Sequence, residues 1–263
     1  MPVFYISFKT LRYWAGGAIC LVILAAGLFG DFYFVHRFTE AAAGQKLKPV
    51  YSVDVGADKR CALSFDAAWG ATRTGRLMDT LESRGLYGTF FLTNIWMDAY
   101  PEMTAEIARR GHEIGLHSSS HPDMTQLSAA DMLKEIDDNR SLAVSLTGQT
   151  PGLFRPPFGA YNSRVVQTLM DQGLVPVQWS VDSLDWKESL SADEIYGRVV
   201  KGIRPGAIVL FHNDGQFTPE VLERLLTYLE QEGYSVEKVG ELLLDGPWTV
   251  DSQGVQRSPR ENL

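Results

Sequence analysis

Cysteine is nearly absent from this 263-residue chain, which has only Cys20 and Cys61. One lies in an apolar amino-terminal run and the other in an expected core strand, so the two cannot pair. A disulfide framework and a cysteine-based zinc site are both excluded. Positive charge is also scarce. Lys and Arg total 24 against 32 Asp and Glu, a net charge of −8. A general nucleic-acid binder shows a basic footprint, and this chain has none; bulk attraction to anionic polymers or lipids is ruled out with it. There is no internal repeat, and no glycine-rich phosphate fingerprint follows the first expected strand, which counts against a nucleotide-binding open sheet. Hydrophobic residues make up 45% and charged residues 21%, a balance that supports a packed core rather than a disordered chain.

Long apolar runs are rare too, with one exception. Tyr13–Gly30 is an uncharged stretch of 18 residues, YWAGGAICLVILAAGLFG, preceded by Lys9 and Arg12. It is just long enough to span a bilayer as a helix. The basic residues ahead of it favour an inside amino terminus and an outside body. Cleavage as a signal peptide near Ala41-Ala42-Ala43 is the competing outcome. The chain is therefore expected to comprise a tip and anchor or signal segment over 1–37, a linker over 38–57, a globular body over 58–244 and a polar tail over 245–263. Its location is the cell membrane with the domain outside, or secretion after cleavage.

Within the body, short apolar runs alternate with helical periodicity. Strands are expected at Cys61–Asp66, Gly88–Thr93, His112–Leu116, Gly152–Phe154, Val175–Val181, Ala207–Phe211 and Tyr234–Val236. Helices are expected at Thr72–Arg84, Met103–Arg110, Ser128–Leu146, Ser163–Gln172, Ala192–Ile203 and Pro219–Glu232. Gly85, Gly111, Gly148, Gly173 and Gly233 fit helix exits. Such alternation implies an α/β fold of mostly parallel strands, either a closed barrel or an open doubly wound sheet. In either, the strand carboxyl ends open on one face, where sites are built. Asp66, His117, Arg155 and His212 each end a strand and Asp185 follows one, so five ionisable side chains converge there.

SFDAAWG (64–70) places a single carboxylate, Asp66, where a strand ends. HSSSH (117–121) sets two imidazoles four residues apart; His117 and His121 then face one direction, as ligands of one zinc-like ion would. In RPPFG (155–159) the two prolines stiffen the chain beside Arg155, whose natural partner is a buried carboxylate, Asp66 or Asp185. VLFH (209–212) ends a buried strand in His212. A carboxylate from DSLDW (182–186) would stabilise its imidazolium, which can donate a proton to a leaving group.

In order and spacing, SFDAAWG, HSSSH, RPPFG, DSLDW and LFH resemble the five motifs of the polysaccharide deacetylases, carbohydrate esterase family 4, with the NodB homology domain. The resemblance implies a distorted (β/α) barrel and hydrolysis of the acetamide of N-acetylated sugars, peptidoglycan foremost. It implies Asp66 as general base, His212 as acid, Arg155 and Asp185 as their respective partners, and His117 and His121 as metal ligands. The Phe158 backbone N–H would face the oxyanion, and Trp186 and Leu210 would line the pocket for the acetyl methyl. The family's first motif normally carries a second, adjacent aspartate that binds the metal; here that position is Ala67. A zinc or cobalt ion would then be weakly held or dispensable. The alternative is a glycan-binding pseudoenzyme. The first motif also resembles that of the sporulation and cell-wall branch.

Overall fold

Eight consecutive residues, Arg60–Ala67, form the central strand, and all but the first are buried. Burial on both faces is what a near-continuous apolar run produces in a parallel sheet covered by helices. The computed structural model describes residues 46–259. Tyr13–Gly30, and with it the choice between anchor and signal peptide, lies outside them. Among the described residues no helix is long and apolar enough to cross a membrane.

In chain order the strands are β1 (Ser52–Val53), β2 (Arg60–Ala67), β3 (Thr89–Leu92), β4 (Glu113–Leu116), β5 (Leu153–Phe154), β6 (Val175–Pro176), β7 (Val181–Asp182), β8 (Ala207–His212), β9 (Ser235–Glu237), β10 (Thr249–Val250) and β11 (Val255–Arg257). The helices are α1 (Thr74–Glu82), α2 (Asn94–Ala99), α3 (Pro101–Arg109), α4 (Ala129–Thr147), α5 (Ser163–Asp171), α6 (Ala192–Gly202), α7 (Thr218–Gln231) and α8 (Val239–Leu242).

Strands β7, β8, β2, β3, β4, β5 and β6 lie side by side in that order, every pair parallel. The single strand expected at Val175–Val181 is in fact two. Between them the chain leaves the β5 edge, the Gln178 N–H bonds the Val50 carbonyl, and the Ser180 N–H bonds Ile208 on β8. This crossing carries the chain from one edge of the sheet to the other, so the sheet curls into a distorted, incompletely closed barrel. The open doubly wound alternative is set aside.

Two apolar clusters follow from the pleat, since successive side chains on a strand face opposite ways. Cys61, Leu63, Phe65 and Ala67 of β2 pack outward with the helices. Ala62 packs inward with Phe91, Val177 and Ile208. Ser64 and Asp66 share that inward face. The five glycines expected at helix exits all have positive φ, the conformation in which a missing Cβ costs least. Sheet structure also reaches beyond the expected domain limits. Strand β1 falls in the segment assigned to the linker, and β10 and β11 fall in the expected polar tail, where they pair with each other and with β1.

Candidate active site

The parallel register makes Asp66 on β2 the direct neighbour of His212 on β8. Each has a partner of opposite charge behind it. The Arg155 Nη1 donates to Asp66 Oδ1 at 2.6 Å, while Nη2 donates to Ser64 Oγ at 2.8 Å and to the Gln178 carbonyl at 3.1 Å. The guanidinium lies 4.0 Å from the centre of the Phe91 ring and is fully buried. Burial alone would raise the Asp66 carboxyl; the charge and hydrogen bond of Arg155 overcome that and hold it below the usual carboxylate range. Asp66 is therefore ionised at neutral pH.

His212 shows the complementary arrangement. Its Nδ1–H donates to Asp185 Oδ1 at 2.7 Å, and its backbone N–H donates to Oδ2 at 2.9 Å. The Thr218 hydroxyl at the start of α7 also donates to Oδ2, at 2.5 Å. Burial pushes the imidazole down, but the bond and charge of Asp185 more than reverse this, so its pKa rises above the ordinary value. A fixed base and a fixed acid thus face one space.

The HSSSH loop is tied to helix α4. The Asn139 Oδ1 accepts the His117 N–H at 2.9 Å, and the Glu135 Oε2 accepts the N–H groups of Ser119 and Ser120, both at 2.8 Å. Two residues of the loop, Ser118 and His121, hold φ of 70° and 57°, a region that costs a non-glycine residue roughly 1–3 kcal/mol. These bonds from α4 offset that strain. The His117 Nδ1–H donates to the Arg155 carbonyl at 2.6 Å, which leaves Nε2 facing Asp66 Oδ2 at 3.5 Å. Burial lowers the pKa of His117, and lowers that of His121 to about 4, so both imidazoles are neutral at pH 7. His117 Nε2 and Asp66 Oδ2 are then two acceptors facing one space at 3.5 Å, with no ion pair between them.

Asp66, His117, His121, Phe158, Asp185, Trp186, Leu210 and His212 all line one cavity of about 930 Å³. Arg155 stands behind it. The sequence gives little sign of Ser64, Glu135, Asn139 and Thr218, which hold the charged groups in place. Asp123 accepts from the N–H and hydroxyl of Thr125 and serves a turn, away from the cavity.

Two imidazoles with His117 Nε2 left free by a carbonyl bond at Nδ1 would supply half of a metal site, for ligating histidines are commonly held this way. The other half is missing. Ala67 has no donor atom and packs among the helix-facing residues, and Asp66 is committed to Arg155. Among the described residues no three His, Cys, Asp or Glu side chains group to hold an ion. The donor set does not fit a firmly bound metal with three protein ligands.

Comparison with known proteins identifies relatives of this fold. The family described as polysaccharide deacetylase matches residues 54–177. The peptidoglycan-N-acetylmuramic acid deacetylase PdaA of Bacillus subtilis is 30% identical over 191 residues, covering 72% of this chain and 73% of that protein. The peptidoglycan-N-acetylglucosamine deacetylase PgdA of Listeria monocytogenes is 34% identical over 70% of this chain, which spans only 39% of that longer relative. Among solved structures, B. subtilis PdaA, a family 4 carbohydrate esterase, superposes with a TM-score of 0.70 at 29% identity, covering 74% of this chain and 84% of that one. A family 4 pseudoenzyme from Bacillus anthracis superposes equally well, with a TM-score of 0.70 at 30% identity and coverages of 74% and 69%.

Proposed function

The chain belongs to the polysaccharide deacetylase family, and on that premise we propose that it hydrolyses the acetamide of N-acetylated amino sugars in peptidoglycan. The observation that carries this reading is the pairing of Asp66 with Arg155 and of His212 with Asp185 on register-neighbouring strands. A protein that only bound glycans would need neither a base held ionised nor an acid held protonated.

In the proposed reaction Asp66 takes a proton from water as its oxygen attacks the acetamide carbonyl carbon. The tetrahedral oxyanion faces the Phe158 N–H, in the manner of an oxyanion hole. The acetyl methyl lies against Trp186 and Leu210. His212 gives its proton to the nitrogen as the C–N bond breaks, releasing acetate and a free amine. Arg155 and Asp185 act through Asp66 and His212 and are positioning residues. Members of this family are generally metal-dependent; here His117 and His121 alone remain to contact an ion, so we expect loose binding and no dependence on it. The two deacetylase relatives are named for peptidoglycan, which supports a wall-associated domain; we infer that it is tethered through Tyr13–Gly30 or released after cleavage.

The test is acetate release from peptidoglycan and from N-acetylglucosamine oligomers by the full chain, before and after chelation and with zinc added back. We expect release that persists after chelation. Asp66→Asn should lower the rate by roughly 10²- to 10⁴-fold, the usual contribution of one proton-transfer group. That variant strands the buried Arg155 charge, a defect that costs about 3–5 kcal/mol, so it needs a thermal melt beside it. His212→Asn removes the acid without stranding a buried cation and supplies the second arm. Full activity in either variant would remove that residue from the mechanism.

A second reading has its own observation. Ala67 deprives the site of a ligand, and a solved pseudoenzyme shares the fold. If the folded chain releases no acetate in any condition yet binds glycan saturably, it is a binding protein.

A further inference from the structure

Asn213 follows His212 directly, is buried, and takes no part in the proposed reaction. Its bonds go to the strand and loop that carry the base. The Asn213 backbone N–H donates to the Asp66 carbonyl at 3.1 Å. Its side-chain Nδ2 donates to the Gly70 carbonyl at 2.7 Å and to the Thr74 hydroxyl, at the start of α1, at 2.9 Å. A carbonyl only accepts, so it is the amide nitrogen that faces Gly70. Residue 213 therefore grips the chain on both sides of Ala67, Ala68 and Trp69. Asp214 adds a further hold, its Oδ1 accepting the Arg73 N–H at 3.0 Å.

The Gly70 carbonyl takes a second donor. Trp96 on α2 is fully buried and donates its Nε1–H to that oxygen at 2.5 Å. Two donors occupy both lone pairs of one carbonyl. Helix α2 is in turn bonded to the neighbouring exits. The Thr93 N–H donates to the Ala67 carbonyl at 3.2 Å, while the N–H groups of Asn94 and Ile95 donate to Ser118 and Ser119 of HSSSH at 3.3 and 3.4 Å. One oxygen thus joins the exits of β2 and β8, and through α2 the exit of β3 and the imidazole loop. Asp66, His117 and His212 all stand on these exits.

We propose that Asn213 and Trp96 are positioning residues. By saturating the Gly70 carbonyl from two sides they lock three loops into one unit and fix the separation of Asp66 from His212. A displacement of about 1 Å between reacting groups is enough to cost orders of magnitude in rate, so a lock at this point bears on turnover more than on binding. Its effect on hydrolysis rests on the deacetylase reading; the junction itself does not.

The experiment measures acetate release from N-acetylglucosamine oligomers by the full chain and by variants in which one donor is removed. Asn213→Leu keeps the volume of asparagine, and Trp96→Phe tests the same oxygen from the other side should the first variant fail to fold. Each should lower kcat about tenfold with KM nearly unchanged. The double variant should be little worse than either single one, because the two donors share one acceptor. Thr74→Val removes the other acceptor of the same amide but leaves both donors on Gly70, so it should keep full kcat. Hydrogen exchange of the Trp96 indole N–H, followed by NMR, should quicken about tenfold in Asn213→Leu. Full kcat in both single variants, losses that multiply in the double one, an equal loss in Thr74→Val, or unchanged indole exchange would overturn the lock. A wild-type chain that releases no acetate defeats the hydrolysis reading, and indole exchange then decides the junction alone. Release that neither variant alters, with exchange unmoved, defeats the lock and leaves hydrolysis standing.

Discussion

His212 is subject to two opposed influences, and the balance between them sets when it can donate a proton. Burial favours the neutral ring, whereas the Asp185 carboxylate, bonded at 2.7 Å, favours the imidazolium. The carboxylate prevails, so the folded pKa is raised. A raised value means that the linked stability is fully present below the ordinary histidine pKa of about 6.5 and is lost as pH rises through the folded value. In the proposed reaction the same proton defines the alkaline limb of activity. Asp185→Asn keeps the shape but removes the charge, leaving burial opposed only by the lesser contributions of Asp66 and Asp182. The alkaline limb of the pH–rate profile should then move down by about one unit or more. The acid limb, governed by Asp66 and its own partner Arg155, should stay in place. A profile for acetate release between pH 4 and 9 locates the alkaline limb, and the rate should stay level toward pH 4 because Asp66 is held below the usual carboxylate range. An alkaline limb that does not move would mean that something other than Asp185 tunes His212.

Elements bring these residues together, and α4 does so without touching the cavity. Glu135 and Asn139 are four residues apart and so share one helix face, which holds the backbone of the HSSSH loop. Glu135→Ala removes the acceptor for two loop N–H groups. We expect a loss of about 1–3 kcal/mol, faster amide exchange at Ser119 and Ser120, and roughly tenfold lower kcat/KM. Glu135→Gln, which keeps one acceptor oxygen, should recover part of each. Unchanged exchange at those two amides would show that the loop holds itself. Nothing in the sequence singles out Glu135 or Asn139, because polar residues on an amphipathic helix are ordinary. By contrast, Asp66, His117, Arg155 and His212 were legible, since each ends an apolar run and a parallel sheet brings all such ends to one face. The limits of legibility are physical. Helix α2 has six residues and β1, β10 and β11 have two or three each, too few to display a period. Val175–Val181 reads as one strand because its apolar alternation is unbroken; only the hydrogen bonds of Gln178 and Ser180 reveal the crossing. The packing of Ala67 toward the helices follows from the pleat, once the register of β2 is known.

At the scale of the whole molecule the segment carrying β10 and β11 braces β1, which meets β8 at Ala207, the end of that strand opposite His212. Gln256 on β11 is fully buried. Its Oε1 accepts the Leu244 N–H at 2.9 Å, and its backbone carbonyl accepts that of Asp54 at the same distance. Strand β11 runs beside β1, and β1 pairs antiparallel with β8, the strand that ends in His212. The approach of β1 is close: a Cβ on Gly206 would lie 1.7 Å from the Val53 carbonyl oxygen, so only glycine fits there. Polar composition alone assigns this segment to a frayed tail; its pairing assigns it to the sheet. Ending the chain after Gly246 removes β10 and β11 and exposes the far edge of β1. At about 1 kcal/mol for each of several lost hydrogen bonds, the loss is about 3 kcal/mol. For a domain of this size that lowers Tm by roughly 5–10 °C. Well below the new melting temperature acetate release should change little, because β2 and β7 still pair with β8 on either flank and hold it in register. A truncated chain that melts within a degree of the full one would return the segment to the role of a solvated tail. A truncated chain that stays folded but loses activity would show that the brace on β1 reaches His212 through β8.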